Sequence, residues 1–393
     1  MPHEGSGAIV RSASTFGPMQ VDWEPRVDMD RLRTERLAKT REAMAAADLD
    51  YLIQLRAENA RYSTGIKRLY WPTIQLGGGP LVVLAAEGDS AVWIIDPDYA
   101  AQNIPWIPDE RFHTPYQMDI DRDVESFVDD LLHYFGSGVE TARIGVDIWS
   151  PAMYDVLHRR LPNATFVNGQ EAMIGTRRIK TRDEITCLKL AYSISEAGMQ
   201  AAVDILRPGV RECELVGECF RAMWALGTET TQCSEVVNSG PGAHPYRRFH
   251  SDRIVQHGDL VNMDFGGCFS GYFGDFCRAF VCGGKPTSAQ VDLLKKAHEL
   301  QLEQLGALGP GVTPKELCAK LGRRTLGHGI GISAFEGPHL RAVDDYPLEP
   351  GMAFSVTSPP LGEDGVGGVH LEDEIIITET GIDLYSTYPY TLG

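Results

Sequence analysis

No stretch of this 393-residue chain approaches the roughly 18–20 consecutive apolar residues that a membrane helix needs, so no spanning segment is expected. The opening Met1-Pro2-His3-Glu4-Gly5-Ser6-Gly7 lacks a basic segment followed by an apolar one, which predicts no secretory leader. Positive charge is scarce: 36 Lys and Arg stand against 54 Asp and Glu, a net charge of −18. That balance argues against nucleic acid and anionic membrane surfaces as partners. There is no C-x-x-C pair. The eight cysteines are scattered between Cys187 and Cys318, which predicts free thiols in a reducing cytoplasm, not a disulfide frame or thiolate zinc site. The first half holds no Gly-rich phosphate loop and no concentration of reactive side chains. What remains, 43% apolar and 23% charged residues, suits a soluble globular enzyme, and the length suggests two or three domains.

Residues 1–27 carry Gly, Ser and Pro without a periodic pattern and read as an arm. A helix is predicted from about Asp30 to Ala47. Tyr51–Leu55, Leu81–Ala86, Ala91–Ile95 and Arg143–Val146 read as buried strands, with a helix near Met153–Leu161. This predicts an α/β layer unit over residues 1–175. Beyond it, Ile185, Leu188, Tyr192, Ser195, Met199, Ala202 and Leu206 mark one face of a long helix stopped at Pro208-Gly209. A similar helix over about Ser288–Leu308 stops at Pro310-Gly311.

The two stops are nearly one phrase, Leu206-Arg207-Pro208-Gly209-Val210 and Leu308-Gly309-Pro310-Gly311-Val312, each followed by Glu-Leu. A strand repeats too: Gly258-Asp259-Leu260-Val261-Asn262-Met263-Asp264 against Gly351-Met352-Ala353-Phe354-Ser355-Val356-Thr357. Residues 176–393 are therefore expected to form one domain of two related halves, helices over an antiparallel sheet.

Several polar residues interrupt these strands. Asp264 ends the strand Leu260–Phe265, and a hairpin through Gly266-Gly267 and Gly271 to a strand Tyr272–Val281 would set Asp275 beside it. Two carboxylates in apolar company repel one another and resist desolvation, and a divalent cation compensates both costs. His328 is flanked by Gly327 and Gly329, and Glu372 opens an apolar strand, sharing a face with His370 and Glu374. Asp264, Asp275, His328 and Glu372 make an oxygen-rich set with one nitrogen, suited to manganese, iron, cobalt or zinc in a hydrolytic site.

These phrases, with Gly271-Tyr272-Phe273-Gly274-Asp275, Arg278, Gly327-His328-Gly329-Ile330-Gly331, Glu336-Gly337-Pro338, Leu348-Glu349-Pro350-Gly351-Met352 and Leu371-Glu372-Asp373, resemble the pita-bread superfamily of methionine aminopeptidases, prolidases and creatinases, peptidase family M24. The resemblance covers about residues 178–393, and residues 1–175 look like the amino-terminal domain of the creatinase and prolidase branch. Phe16-Gly17, Trp23, Arg61-Tyr62 and Thr64 are also similar to dimethylsulfoniopropionate lyases. The resemblance implies an α/β protein: a creatinase-type amino-terminal α/β domain plus an α+β pita-bread catalytic domain with an internal pseudo-twofold repeat. It also implies a homodimer and five metal-holding residues, of which Asp264, Asp275, His328 and Glu372 match.

Two positions depart from the family pattern. The fifth ligand, a glutamate, is replaced by Thr357, which weakens one of two metal seats; Glu374 or His370 are candidate replacements. The histidine expected seven residues after His328 is Phe335, favouring a small substrate enclosed by aromatic walls. For proton transfer the resemblance points to His244, in Gly242-Ala243-His244, with His250 as the other candidate; Tyr246, Arg247 and Arg248 suit a carboxylate-bearing substrate. The expected activity is metal-dependent hydrolysis of a C–N bond in a small amide, amidine or dipeptide-like substrate, with His244, His328 and Glu372 catalytic. Metal-free creatinase-like hydrolysis by His244 and Glu372, elimination next to a carboxylate, and a non-catalytic binding role remain alternatives.

Overall fold

The computed structural model describes residues 8–10, 27–66, 80–94, 98, 101–102, 104–108, 111–113, 115–231, 236–246 and 249–390. Phe16, Gly17, Trp23, Ile95, Arg247 and Arg248 lie outside them. The chain divides into two compact units, one of Met29–Arg177 and one of Arg178–Gly393 with the residues before Met29. The leading segment, read as an arm ahead of the first domain, supplies the short strand β1 (Ala8–Val10) to the second unit. Among the described residues no helix is long and apolar enough to cross a membrane.

The first unit is a six-stranded mixed sheet, in order β5-β4-β3-β2-β6-β7, of β2 (Tyr51–Gln54), β3 (Leu81–Ala85), β4 (Ala91–Trp93), β5 (Phe112–His113), β6 (Arg143–Val146) and β7 (Thr165–Asn168). The central strands β3 and β4 are apolar on both faces because both are covered, whereas the edge strand β7 is half-exposed. Leu81, Val83 and Trp93 point into one core with Phe127 and Val156, while Val82 and Val92 point into another with Ile104. Asp147, just past β6, accepts hydrogen bonds from the Leu55 and Arg56 amides and from Asn59, fastening the start of the helix Ala57–Thr64.

In the second unit, the helices Arg182–Asp204 and Ser288–Ala307 both begin with a capping box, from Thr181 with Glu184 and from Thr287 with Gln290. Both run into a Pro-Gly turn whose glycine has positive φ, 94° at Gly209 and 87° at Gly311, and a second helix follows (Glu212–Ala225 and Pro314–Leu321). Of the face that the spacing marks, Leu188, Tyr192, Ser195, Met199 and Ala202 are buried and the end residues Ile185 and Leu206 are partly buried. Between and after these helices lie β8 (Val236–Ser239), β9 (Leu260–Phe265), β10 (Cys268–Phe269), β11 (Tyr272–Phe273), β12 (Phe276–Val281), β13 (Thr325–Gly329), β14 (Glu336–Arg341), β15 (Ala353–Thr357), β16 (Leu361–Glu363), β17 (Gly367–Val369), β18 (Glu372–Ile377) and β19 (Gly381–Leu384). They form a three-stranded antiparallel sheet, β12-β9-β8, and a six-stranded sheet, β1-β19-β18-β15-β13-β14, with two small ribbons, β10-β11 and β16-β17. Two sheets thus stand where the sequence suggested one.

The expected single strand Tyr272–Val281 is broken at Gly274-Asp275. The Gly274 amide bonds to the Gly267 carbonyl, and a Cβ at Gly274 would collide with the Ser195 hydroxyl, so the chain presses against the long helix there and leaves the ladder. Pairing resumes at Phe276 opposite Phe265, so Asp264 faces Cys277 and Asp275 lies free of the strand register.

Arg278 ties the two sheets together. Its side chain, 1% exposed, pairs with the fully buried Asp373 at 2.8 Å and donates to the backbone carbonyls of Glu372 and Cys277 at 2.6 and 2.8 Å. Asp373 also accepts from Gln301, Ser386 and Tyr390. Burying both ions is offset only by this complete set of partners. Arg278→Gln is therefore expected to lower unfolding free energy by about 3–5 kcal/mol in denaturant titration, whereas Lys315→Gln, which breaks the exposed pair with Asp345, leaves the midpoint unchanged.

Candidate metal centre and active site

Three carboxylates from three places in the second unit converge. Asp264 comes from the end of β9, Asp275 from the break before β12, and Glu372 from the first position of β18; all three are buried, and one oxygen from each lies within 4.8 Å of the others. His328, on β13, places Nε2 3.3 Å from Asp275 Oδ2. Gly327 beside it has φ of 142°, and a Cβ there would strike the Ser355 carbonyl, so the glycine lets β13 close onto β15. The four residues expected to form one acidic set are brought together.

Their surroundings are mostly hydrogen-bond donors. The Tyr246 hydroxyl donates to Asp264 Oδ2 at 2.7 Å. Thr357 lies opposite Glu372 in the β15–β18 ladder, and its hydroxyl donates to Glu372 Oε1 at 3.2 Å. His370 Nε2 stands 3.0 Å from the same oxygen, and its ring packs 4.1 Å from that of Tyr246. Glu374 turns elsewhere, its carboxylate accepting the Asp275 amide. The Phe335 ring lies 4.3 Å from that of His328 and is 67% exposed.

Burial pushes the carboxyls of Asp264 and Asp275 upward, and the neighbouring Glu372 charge adds to it; Asp275 reaches about 6 and Asp264 lies well above its ordinary range. Burial acts on Glu372 in the same direction, but the hydrogen bond and charge of His370 outweigh it and hold Glu372 below the usual carboxylate value. Burial would lower His328, yet Asp275 beside it raises it. The acids thus share their protons unequally: Glu372 keeps its charge while Asp264 and Asp275 hold theirs only with compensation.

His244 is placed elsewhere. Its ring packs on the backbone of Gly362 in the β16–β17 ribbon, and it lines a cavity of about 540 Å³ with Asp259, Gln290, Glu363 and Asp364. None of the three carboxylates lines that cavity. Tyr246, expected to meet substrate, instead supports Asp264, and Arg247 lies outside the described residues.

Sequence reasoning did not single out Glu212, which reads there as an ordinary helix-start acid. It is fully buried. Oε1 accepts from the Ser239 amide and hydroxyl at 2.9 and 2.6 Å, and Oε2 from the Ser251 amide and hydroxyl at 2.9 and 2.7 Å. One carboxylate thereby fastens both ends of the segment that carries His244 and Tyr246. Only the close approach of Ser239 and Ser251 reveals this. Nor was His339 noticed, which pairs with His328 across the β13–β14 ladder.

Residues 186–379 match the model of metallopeptidase family M24, and residues 36–179 that of the creatinase/prolidase N-terminal domain. The chain is 30% identical over 269 residues to an Xaa-Pro dipeptidase of Lactobacillus helveticus, covering 65% of this chain and 72% of that one. It is 26% identical over 365 residues to an Xaa-Pro dipeptidase of Pyrococcus furiosus, covering 88% and 96%. Among solved structures, it superposes on an Xaa-Pro dipeptidase from Bacillus anthracis with a TM-score of 0.75 at 23% identity, over 92% of this chain and 99% of that one.

The Glu212 arrangement makes a specific expectation. In Glu212→Gln, two of the four acceptor sites become donors, so hydrogen exchange at the Ser239 and Ser251 amides should accelerate by about tenfold to a hundredfold, on the order of 1–3 kcal/mol, while amides of β18 keep their protection.

Proposed function

The chain belongs to metallopeptidase family M24 and is a hydrolase of C–N bonds, and we propose that its substrate is a small dipeptide or dipeptide-like amide and that one divalent ion serves each chain. The observation that carries the reading is the convergence of three buried carboxylates within 4.8 Å. Left alone they repel, and burial makes that costly. The donor set fits a hard or borderline ion, with Asp264, Asp275 and Glu372 holding it and His328 adding a nitrogen, which suits manganese, iron, cobalt or zinc. A second seat lacks its carboxylate: Thr357 meets Glu372 with a hydroxyl, and Glu374 is committed to the Asp275 amide.

When bound, a divalent ion supplies Lewis acidity and makes water a nucleophile near neutral pH. The protein's own groups do the rest. Thr357 Oγ1 and His370 Nε2 orient Glu372 Oε1, and Tyr246 Oη orients Asp264 Oδ2. His370 is hydrogen-bonded to Glu372 Oε1, and in this reading the His370–Glu372 pair exchanges the proton that the amide nitrogen takes up on cleavage. His244, facing its own cavity, has no part in this reading. Phe335 favours a small substrate, since it sets an apolar ring where the peptidases of the family carry a histidine. The relatives named Xaa-Pro dipeptidases support the dipeptide class. The creatinase and prolidase resemblance supports a homodimer, and the free cysteines among the described residues support a reducing, cytoplasmic setting.

Metal analysis of protein purified without chelator, paired with assays on Xaa-Pro dipeptides, tests this. About one ion per chain and dipeptide hydrolysis are expected; a content far below one, or activity insensitive to chelation, overturns it. Glu372→Gln and Asp264→Asn should each lose the ion and reduce kcat at least about a thousandfold, because the Lewis acid goes with it. Binding should also depend on pH. Without the ion the Asp275 carboxyl sits near 6, above its ordinary 3.8. Its protonation stabilises the metal-free fold fully below pH 3.8, and that contribution disappears as pH rises through 6. The ion competes with this proton, so its affinity should fall about tenfold per pH unit for each displaced proton below pH 6, readable by calorimetry between pH 7.5 and 5.

A further inference from the structure

Two residues before Asp264, the same strand carries a buried amide that the metal reading does not use. Asn262 lies on β9, and alternation puts it on the face that carries Asp264. It is fully buried. A primary amide taken out of water costs free energy unless both of its ends find partners. Both ends do, far along the chain: Nδ2 donates to the Gly368 carbonyl at 3.0 Å, and Oδ1 accepts the His370 amide at 3.1 Å. These two backbone groups flank Val369, the last residue of β17. In extended chain a carbonyl and the amide two residues on leave on one side, where a neighbouring strand would meet them. The Asn262 side chain stands in for that strand.

The stretch it holds lies outside any ladder. β17 ends at Val369 and β18 begins at Glu372, so His370 and Leu371 bridge the small ribbon and the six-stranded sheet. The Leu371 amide donates to Ser358 Oγ, which leaves the His370 amide to Asn262. On its other side the segment is pressed against the turn Gly240–Ala243, since a Cβ at Gly368 would strike the Ala243 carbonyl. The His370 ring has few ties of its own. Nε2 meets Glu372 Oε1 at 3.0 Å, the ring packs 4.1 Å from that of Tyr246, and among the described residues Nδ1 has no hydrogen-bond partner. The place of the ring therefore depends on the backbone beneath it.

We propose that Asn262 is a positioning residue whose amide fixes the backbone at His370 so that Nε2 reaches Glu372 Oε1. One face of β9 then sets both halves of the centre, a metal carboxylate through Asp264 and the proton-exchanging pair through Asn262. The effect on turnover rests on the hydrolytic reading; the anchoring of the ring does not.

The test uses the full chain loaded with zinc and carrying 13C-labelled histidine rings, as wild type, Asn262→Ala and Asn262→Asp. Aspartate keeps an oxygen for the His370 amide in either protonation state. The readouts are the nuclear Overhauser contact between the His370 and Tyr246 rings, the metal content, and kcat and KM on alanyl-proline, the last also in the His370→Gln background. Wild type should show the ring contact. Asn262→Ala should lose most of it, keep its ion, and lower kcat about tenfold to a hundredfold with KM changed less than about twofold, because a small misplacement of a reacting group costs that much. Asn262→Asp should retain the contact and most of the turnover. In the His370→Gln background Asn262→Ala should cost less than about twofold more, since residues that act through one contact are not additive. An undiminished ring contact in Asn262→Ala, loss of the ion along with the contact, or a full further loss in the His370→Gln background, which a purely structural role would give, overturns the proposal. Should Asn262→Ala fail to fold, Asn262→Ser replaces it under the same expectations. If wild type leaves alanyl-proline uncleaved, or His370→Gln leaves turnover unchanged, the proton reading fails, while the ring contact still decides whether Asn262 is the anchor.

Discussion

Three acidic side chains that repel one another are held together away from water, and much of the second unit is arranged around that constraint. Burial raises Asp264 and Asp275, so the fold must hold them by geometry. Tyr246, Thr357, His370 and His328 each direct a polar hydrogen or a ring nitrogen at one of the three. Behind Glu372, Arg278 grips its backbone carbonyl and the next side chain, Asp373, fixing the strand from its other face. The break at Gly274 serves the same end: a continuous strand would keep Asp275 in register, whereas the departure from the ladder turns it toward Asp264 and Glu372.

The internal repeat explains why the centre is lopsided. Aligning Gly258–Asp264 with Gly351–Thr357 sets Asp264 of β9 against Thr357 of β15. Both stand at strand ends beside the same cluster, one offering a carboxylate and the other a hydroxyl. The two halves keep their capped helices and Pro-Gly turns alike, because those set the backbone path. They differ where a side chain faces the centre, where chemistry and not packing decides the residue.

Much of this was legible in residue order. Strand Leu260–Phe265 and the two long helices follow from period and punctuation, although only the first helix buries the apolar face its spacing marks; the second buries Gln290, Gln301 and Gln304 beside Ala297 and Leu305. Asp264, Asp275, His328 and Glu372 were visible as polar residues in apolar strands. The strand break at Gly274 was not, because it depends on a helix some eighty residues earlier pressing its Ser195 against the glycine. The Tyr246 bond to Asp264 and the Glu212 clasp were hidden for the same reason: each joins residues whose proximity is fixed only by the tertiary path.

Charge balance connects Thr357 to the stoichiometry. Four carboxylates carry four negative charges and neutralise two divalent ions; three carboxylates with a neutral imidazole leave one excess negative charge around one ion and one excess positive charge around two. In a buried site an excess of either sign is costly, and hydrogen bonds are what reduce it. The donors found here, the hydroxyls of Tyr246 and Thr357, stabilise negative charge on Asp264 and Glu372. They would be repelled by a second cation seated at the same oxygens. Thr357 and the donors to Asp264 and Glu372 therefore suit the proposed single ion, which would leave the centre slightly too negative.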